Sequence, residues 1–320
     1  MKATGNNTQG IAFLSVAWLI FSLQGIAVKW IGGDYSIMEI VLFRSFIAMP
    51  VTLLFYRYEG KTGLPTTKQP GLEYVRGFFL FLSYTTAFMA LASLPLAEVD
   101  AIRFSSPLMI TMLSVLFLRE KVKLYRWVAL IIGFVGVLFI VRPGTAIFNL
   151  GSVFALISVV FYAFSALITR KLQETDSSAT QAYFSSLVYL IAAIILNPLA
   201  FFIPETSNTH PRIAFLLRAW QMPTLIDLLI MLGLGLVWAG GVYFIARAYS
   251  TAPASVVAPF EYVSLPINVL WGFVFFQEML LLATWIGAAL TIGSGLYILY
   301  RDRQIQSVTT TLEPQALNSN

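Results

Sequence analysis

PLAEVDAIRFSSPLMITMLSVLFLRE, residues 95–120, and PASVVAPFEYVSLPINVLWGFVFFQE, residues 253–278, repeat one pattern. Pro95 and Pro253 stand 158 positions apart, and so do Glu120 and Glu278. At that offset Val99 falls on Val257, Ser106 on Ser264 and Phe117 on Phe275. Outside the stretch, Gly77 falls on Gly235, Ala90 on Ala248, Trp127 on Trp285 and Leu138 on Leu296. Identities held at one offset over more than 60 residues predict an internal repeat. Upstream, Gly10 with Gly151 and Phe13 with Phe154 align at an offset of 141. An insertion in the second half, Glu205 to Pro223, accounts for the difference.

The chain of 320 residues is 58% apolar and 11% charged, with a mean hydropathy of +0.80. A soluble domain carries roughly 25% charged residues, so this surface is made for lipid. Apolar runs of roughly 20 residues recur, each long enough to cross a hydrocarbon core about 30 Å thick. A strand reading fails, because lipid-spanning strands are about 10 residues with alternating polarity. The net charge of +5 does not point to nucleic acid, because the basic residues fall between the apolar runs. With no cysteine there is no disulfide framework and no thiolate metal site.

The pattern predicts an all-α integral membrane protein of ten transmembrane helices, at about 10–32, 36–57, 73–93, 97–118, 125–142, 149–170, 179–203, 225–249, 254–276 and 281–300. Residues 1–9 form an N-terminal tail, 10–145 a first repeat and 146–301 a second repeat with an outer loop at 204–224. Residues 302–320 are expected as a disordered tail. With both termini cytoplasmic, thirteen of the 20 basic residues fall inside, among them those of REKVKLYR (119–126). The equivalent second-half loop, QEMLLLAT (277–284), has no Lys or Arg. Five spans per half is an odd number, and equivalent loops with opposite charge bias mark two inverted five-helix repeats.

Several signals together resemble the drug/metabolite transporter superfamily, in its EamA-type ten-span branch. They are the two five-span halves, the E-x₆-W joints (Glu120 to Trp127, Glu278 to Trp285), and the glycine-rich GFVGVLFIVRPG (133–144) and GAALTIGSGLYIL (287–299). MEIVLFRSFIAMP (38–50), with Arg44, is similar to the family as well. The resemblance covers about residues 10–300 and implies a central cavity between the repeats, with spans 5 and 10 at the periphery. It also implies secondary transport of amino acids, nucleotide-like cofactors, vitamins or related metabolites, in a bacterial cell inner membrane.

Intramembrane charges are the leading functional residues, because an unpaired one costs at least a few kcal/mol at the bilayer centre. Arg103 lies roughly 9 Å below the outer end of span 4, and Glu261 roughly 10 Å from the inner end of span 9, at 1.5 Å per residue. They flank the midplane, where a zwitterion reaches both: Arg103 for a carboxylate or phosphate, Glu261 for a cation or a coupling proton. The alternative is that each pairs with a neighbouring charge and ties the bundle together. Arg44 is deep enough to line the cavity. Glu39, Glu98 and Asp100 lie near the outer interface, where solvation accounts for them. Trp18, Gln24, Tyr84, Trp238 and Tyr262 are candidates for pocket walls, although lipid, core and interface all absorb aromatics in such a chain. Pro107 and Pro266 stand mid-span as candidate hinges, offset by 159 rather than 158. Glycines 133, 136, 287, 293 and 295 read as close-packing positions. Glu120 and Glu278 read as caps of the helices that follow them.

There is no Walker A pattern, and no H-E-x-x-H or G-x-S-x-G motif. The chain therefore reads as no enzyme, with no cofactor and no metal. It is expected to be a secondary transporter working by alternating access on a small substrate, most simply a zwitterion such as an amino acid or S-adenosylmethionine. Protons are a possible coupling partner. Riboflavin or an organic anion is the alternative within the fold, and an intramembrane enzyme or receptor-like protein the alternative class.

Overall fold

The structure, a computed structural model, describes residues 7–32, 34–118, 124–142, 150–172, 175–202, 220–251, 260 and 264–317. Among these residues there are eleven helices and no strand. They are α1 (Asn7–Ile31), α2 (Ile37–Tyr58), α3 (Pro70–Leu91), α4 (Leu96–Arg103), α5 (Ser106–Leu118), α6 (Leu124–Val141), α7 (Leu150–Leu172), α8 (Ser178–Phe202), α9 (Leu225–Thr251), α10 (Ser264–Phe276) and α11 (Leu282–Leu317). Six of them, α1, α2, α3, α7, α8 and α9, are long and apolar enough to cross a membrane. The apolar parts of α6, α10 and α11 are shorter: Trp127–Val141, Pro266–Phe276 and Leu282–Ile298.

Local chemistry sets the helix ends. Ser36 precedes α2 in extended backbone, and its Oγ accepts from the Glu39 N–H at 3.1 Å, satisfying one of the free amides of the first turn. Gly60 follows α2 at φ +79, the left-handed conformation that closes a helix without a Cβ clash. Pro70 opens α3, where its missing N–H costs nothing. Thr224 Oγ1 accepts from Asp227 N–H at 3.2 Å before α9.

The span expected as one helix over 97–118 is two, broken at Phe104 and Ser105. Pro107 has no N–H to donate to the Arg103 carbonyl. The Ser106 hydroxyl donates to that carbonyl instead, at 2.6 Å, and the Ser105 hydroxyl donates to Ile102 at 2.6 Å. The break is thus hydrogen-bonded, as a bend inside a membrane must be. The tail also differs from expectation, since α11 runs on through 302–317 as helix. From Arg301 to Glu313 the chain has neither Gly nor Pro, so nothing in the backbone stops it. The loop expected at 204–224 and the first part of the span expected at 254–276 lie largely outside the described residues.

The helices pack in pairs: α1 along α9, α3 along α7, α6 along α11, and α2 against both α8 and α9. Helix α10 touches both α4 and α1. At the seam of α6 and α11 two glycines face each other's backbone. A Cβ on Gly136 would lie 2.7 Å from the Gly287 carbonyl oxygen, and one on Gly287 only 2.4 Å from the Gly136 oxygen. Backbone cannot yield as a side chain does, so Gly287→Ala is expected to destabilise the protein by about 1–3 kcal/mol, the usual range for overpacking. Gly293→Ala, which meets open space, serves as the control; equal melting temperatures for the two variants would refute the seam. Gly293 is therefore no close-packing position, unlike Gly133 and Gly136.

Charged ties mark the two ends of the bundle. At one end, Arg76 pairs with Glu73 (3.0 Å) and donates to the Gln181 carbonyl and to Ser185 Oγ (2.8 Å), joining α3 to α8. At the other, Lys29 pairs with Glu278 and donates to the Leu94 carbonyl at 3.0 Å. Glu278 does not cap the helix that follows it, as the sequence led one to expect. Its Oε2 accepts the Leu96 N–H at 3.0 Å, at the start of α4. Gln277, a non-glycine residue at φ +55, turns the chain after α10 and carries Glu278 back across the bundle. Nor is Glu98 left to solvent. It pairs with Arg142 (3.2 Å) and accepts from Thr284 Oγ1 at 3.1 Å. Glu39 is fully buried.

Candidate functional site

Where α4 bends, four helices enclose a pocket. Trp18, Phe21, Ser22, Gln24 and Gly25 come from α1, and Tyr84, Ala87, Phe88 and Leu91 from α3. Leu96, Val99, Asp100 and Arg103 come from α4, and Asn268 from α10. The pocket therefore draws on both halves of the chain. Its free volume is about 50 Å³. Metabolite sites run to about 300–1,000 Å³, so the pocket as it stands is smaller than most of them. A larger apolar groove, about 340 Å³, lies between α6 and α11. It is lined by residues such as Val128, Ile132, Leu290 and Tyr297 and carries no charge, which suits a hydrocarbon chain better than a polar substrate.

The Arg103 guanidinium lies 4.9 Å from the Tyr84 ring centroid, half-buried in the pocket wall. Among the described residues no carboxylate forms an ion pair with it. One turn earlier, Asp100 accepts a hydrogen bond from Asn268 Nδ2. Trp18 Nε1 and Asn268 Oδ1 are buried without a hydrogen-bond partner. Beside them, Trp271 Nε1–H donates to Ser22 Oγ at 2.9 Å, joining α10 to α1.

Behind the pocket sits an aromatic cage. Arg44 is 1% exposed, with its guanidinium 4.7 Å from the Trp238 ring, 4.8 Å from Tyr189 and 5.9 Å from Phe88. Gln24 Oε1 accepts from Arg44 Nη1 at 3.5 Å, which links cage to pocket. Tyr84 meets Trp238 edge-on at 5.0 Å and closes the wall between them. Desolvated cation–π contacts stabilise by about 2 kcal/mol or more, so ring faces take the role of a counter-ion here. The contrast with Arg76 is instructive. Arg76 has a carboxylate and two further acceptors and is a structural tie, whereas Arg44 and Arg103 keep donor capacity in reserve.

Of the residues singled out from sequence, Trp18, Gln24, Tyr84 and Arg103 line this pocket, and Arg44 and Trp238 form the cage behind it. Glu261 and Tyr262 lie outside the described residues. Pro107 stands in the first turn of α5 and Pro266 in the first turn of α10, so among the described residues neither is mid-helix. Glu39, Arg44, Glu98 and Asp100 go separately to the core, the cage, Arg142 and Asn268, and, contrary to expectation, the three acids are not left to solvent. Asn268 and Tyr189 carry no expectation from the sequence, and Asp100 carries only that of a solvated carboxylate. Asp100 is three residues from Arg103 on one helix, and Asn268 is a lone amide in an apolar run, and both signals were legible.

Six helices long and apolar enough to cross a membrane, with a polar and aromatic pocket between two of them and the shorter α4 and α10, mark a multi-pass membrane protein. The chain belongs to the EamA-like transporter family, which matches residues 8–142 and again 149–300. It is 27% identical over 299 residues to an S-adenosylmethionine uptake transporter of Rickettsia bellii, across 92% of this chain and 96% of that protein. It is 31% identical over 294 residues to a riboflavin transporter of Vibrio cholerae, across 91% and 92%. It is 29% identical over 291 residues to the pseudopaline exporter CntI of Pseudomonas aeruginosa, across 90% and 93%. A solved crystal structure at 17% identity shares the fold, with a TM-score of 0.62 over 93% of this chain and 99% of that one.

Proposed function

We propose that this chain is a secondary transporter that carries a small zwitterionic metabolite, an amino acid or an S-adenosylmethionine-like compound, by alternating access. The observation that carries the reading is Arg103, a cation held against Tyr84 in the pocket wall with no ion-pair partner among the described residues. A half-buried guanidinium with donors not spent on an ion pair is matched by a substrate carboxylate, which it binds through charge-assisted hydrogen bonds. In the proposed architecture, ten spans form two inverted five-helix repeats in a bacterial inner membrane, with both termini cytoplasmic. The pairings α1 with α9 and α3 with α7 support it, because they exchange when the two halves are swapped. The double family match supports it too. Pro107 and Pro266 would then be the hinges, at the starts of α5 and α10. The curated relative from Rickettsia bellii supports the zwitterion reading, since S-adenosylmethionine carries both an ammonium and a carboxylate.

Glu261 keeps the coupling role assigned from sequence, with Tyr262 beside it. Glu261→Gln is expected to remove the pH dependence of transport while leaving ligand binding in place. Transport with its full pH dependence intact would end that role. A second reading, riboflavin, is favoured by the aromatic walls and by the relative from Vibrio cholerae. Thermal stabilisation of purified protein separates the two. Amino acids or S-adenosylmethionine raise the melting temperature on the zwitterion reading. Stabilisation by riboflavin or organic acids alone refutes it.

A further inference from the structure

The atoms left open around the pocket sort by kind. Arg103 and Trp18 Nε1 are donors. Asn268 Oδ1 is an acceptor, buried with no partner on a residue 6% exposed; the Asp100 carboxylate beside it accepts from Asn268 Nδ2 and has lone pairs to spare. Asp100 and Arg103 are three apart on α4, so they project from one face of the helix. Both line the pocket, and so do Trp18 and Asn268. A cation and an anion on one helix face, each next to an unused group of matching hydrogen-bonding sense, mirror an α-amino acid. That ligand bears a carboxylate and an ammonium on a single carbon.

We infer that Asp100 and Asn268 form the subsite for the substrate's primary ammonium group, a refinement that rests on the zwitterion reading above. The ammonium has three N–H donors. Asp100 takes one in a charge-assisted bond, and Asn268 Oδ1, otherwise buried and unsatisfied, takes another. The subsite selects N–H donors rather than positive charge alone, so it discriminates an ammonium from a methylated nitrogen or a bare sulfonium. Asp100 stands on α4 and Asn268 on α10, one in each half of the chain. Without ligand they bond to each other, and the substrate joins the halves through its own N–H groups. The cation contact thereby moves to Asp100, and Glu261 is left with proton coupling.

The test uses full-length protein in lipid nanodiscs and calorimetric binding of L-methionine and S-adenosylmethionine, each beside its deaminated counterpart. Wild type is expected to prefer the amino form of at least one pair by about tenfold or more, the effect of a hydrogen bond to a charged group. Asp100→Asn and Asn268→Leu are each expected to erase that preference, read as the ratio of the two affinities within each variant. Should Asp100→Asn fail to fold, Asn268→Leu carries the test alone. A variant that folds and keeps the full preference overturns the ammonium subsite and leaves the transporter reading intact. If wild type binds neither amino form, the zwitterion reading falls first and the subsite with it.

Discussion

Arg103→Ala is expected to reduce transport roughly a hundredfold, since removing one partner of a desolvated charge pair costs about 2–5 kcal/mol. The melting temperature should hardly change, because Arg103 makes no ion pair among the described residues and rests on one face of Tyr84. That separation of activity from stability marks a substrate ligand rather than a bundle tie. Arg103→Lys keeps the charge and loses both the planar stack on Tyr84 and the forked donors. It is expected to recover part of the activity, and Tyr84→Leu in wild type should mimic part of the loss. Initial rates in proteoliposomes, measured beside melting curves, check all three. A large drop in melting temperature with normal transport would assign Arg103 to structure.

Trp238→Ala has the opposite signature. Trp238 is 2% exposed and touches Phe21, Tyr84 and Tyr189, with ring centroids 6.1, 5.0 and 5.2 Å away. Truncating a core tryptophan costs about 3–5 kcal/mol through the cavity it leaves. Here the loss also strips Arg44 of its nearest ring, at 4.7 Å, and leaves a buried cation with less to face. The variant is expected to melt well below wild type in detergent and to bind ligand weakly. Trp238→Phe restores a ring and should recover most of the stability. A melting curve for Trp238→Ala that overlays the wild type would contradict the role given to the cage.

Hydropathy alone located most of the helices, because lipid demands long apolar runs with satisfied backbones. Arg103, Tyr84, Trp18 and Gln24 were legible for the related reason that polar and aromatic side chains among aliphatic ones need a cavity. Depth along a span was a poorer guide. Asp100 and Glu98 sit near the expected end of span 4 and were read as solvated, yet neighbouring helices cover that end and hand each carboxylate a partner. The role of Glu278 is not legible from its local spacing, because its partners Lys29 and the Leu96 N–H are distant in sequence. The left-handed turn at Gln277 sends its carboxylate to a helix in the other half of the chain. The cage around Arg44 needs Tyr189 from α8 and Trp238 from α9, and no spacing in one sequence announces that meeting.

The most direct measurement is substrate counterflow in proteoliposomes preloaded with unlabelled S-adenosylmethionine or single amino acids, with the matching labelled compound outside. A zwitterion is expected to drive labelled uptake above empty-liposome controls in wild type and not in Arg103→Ala. Counterflow supported only by riboflavin or organic acids, or uptake of a zwitterion unchanged in Arg103→Ala, would contradict it.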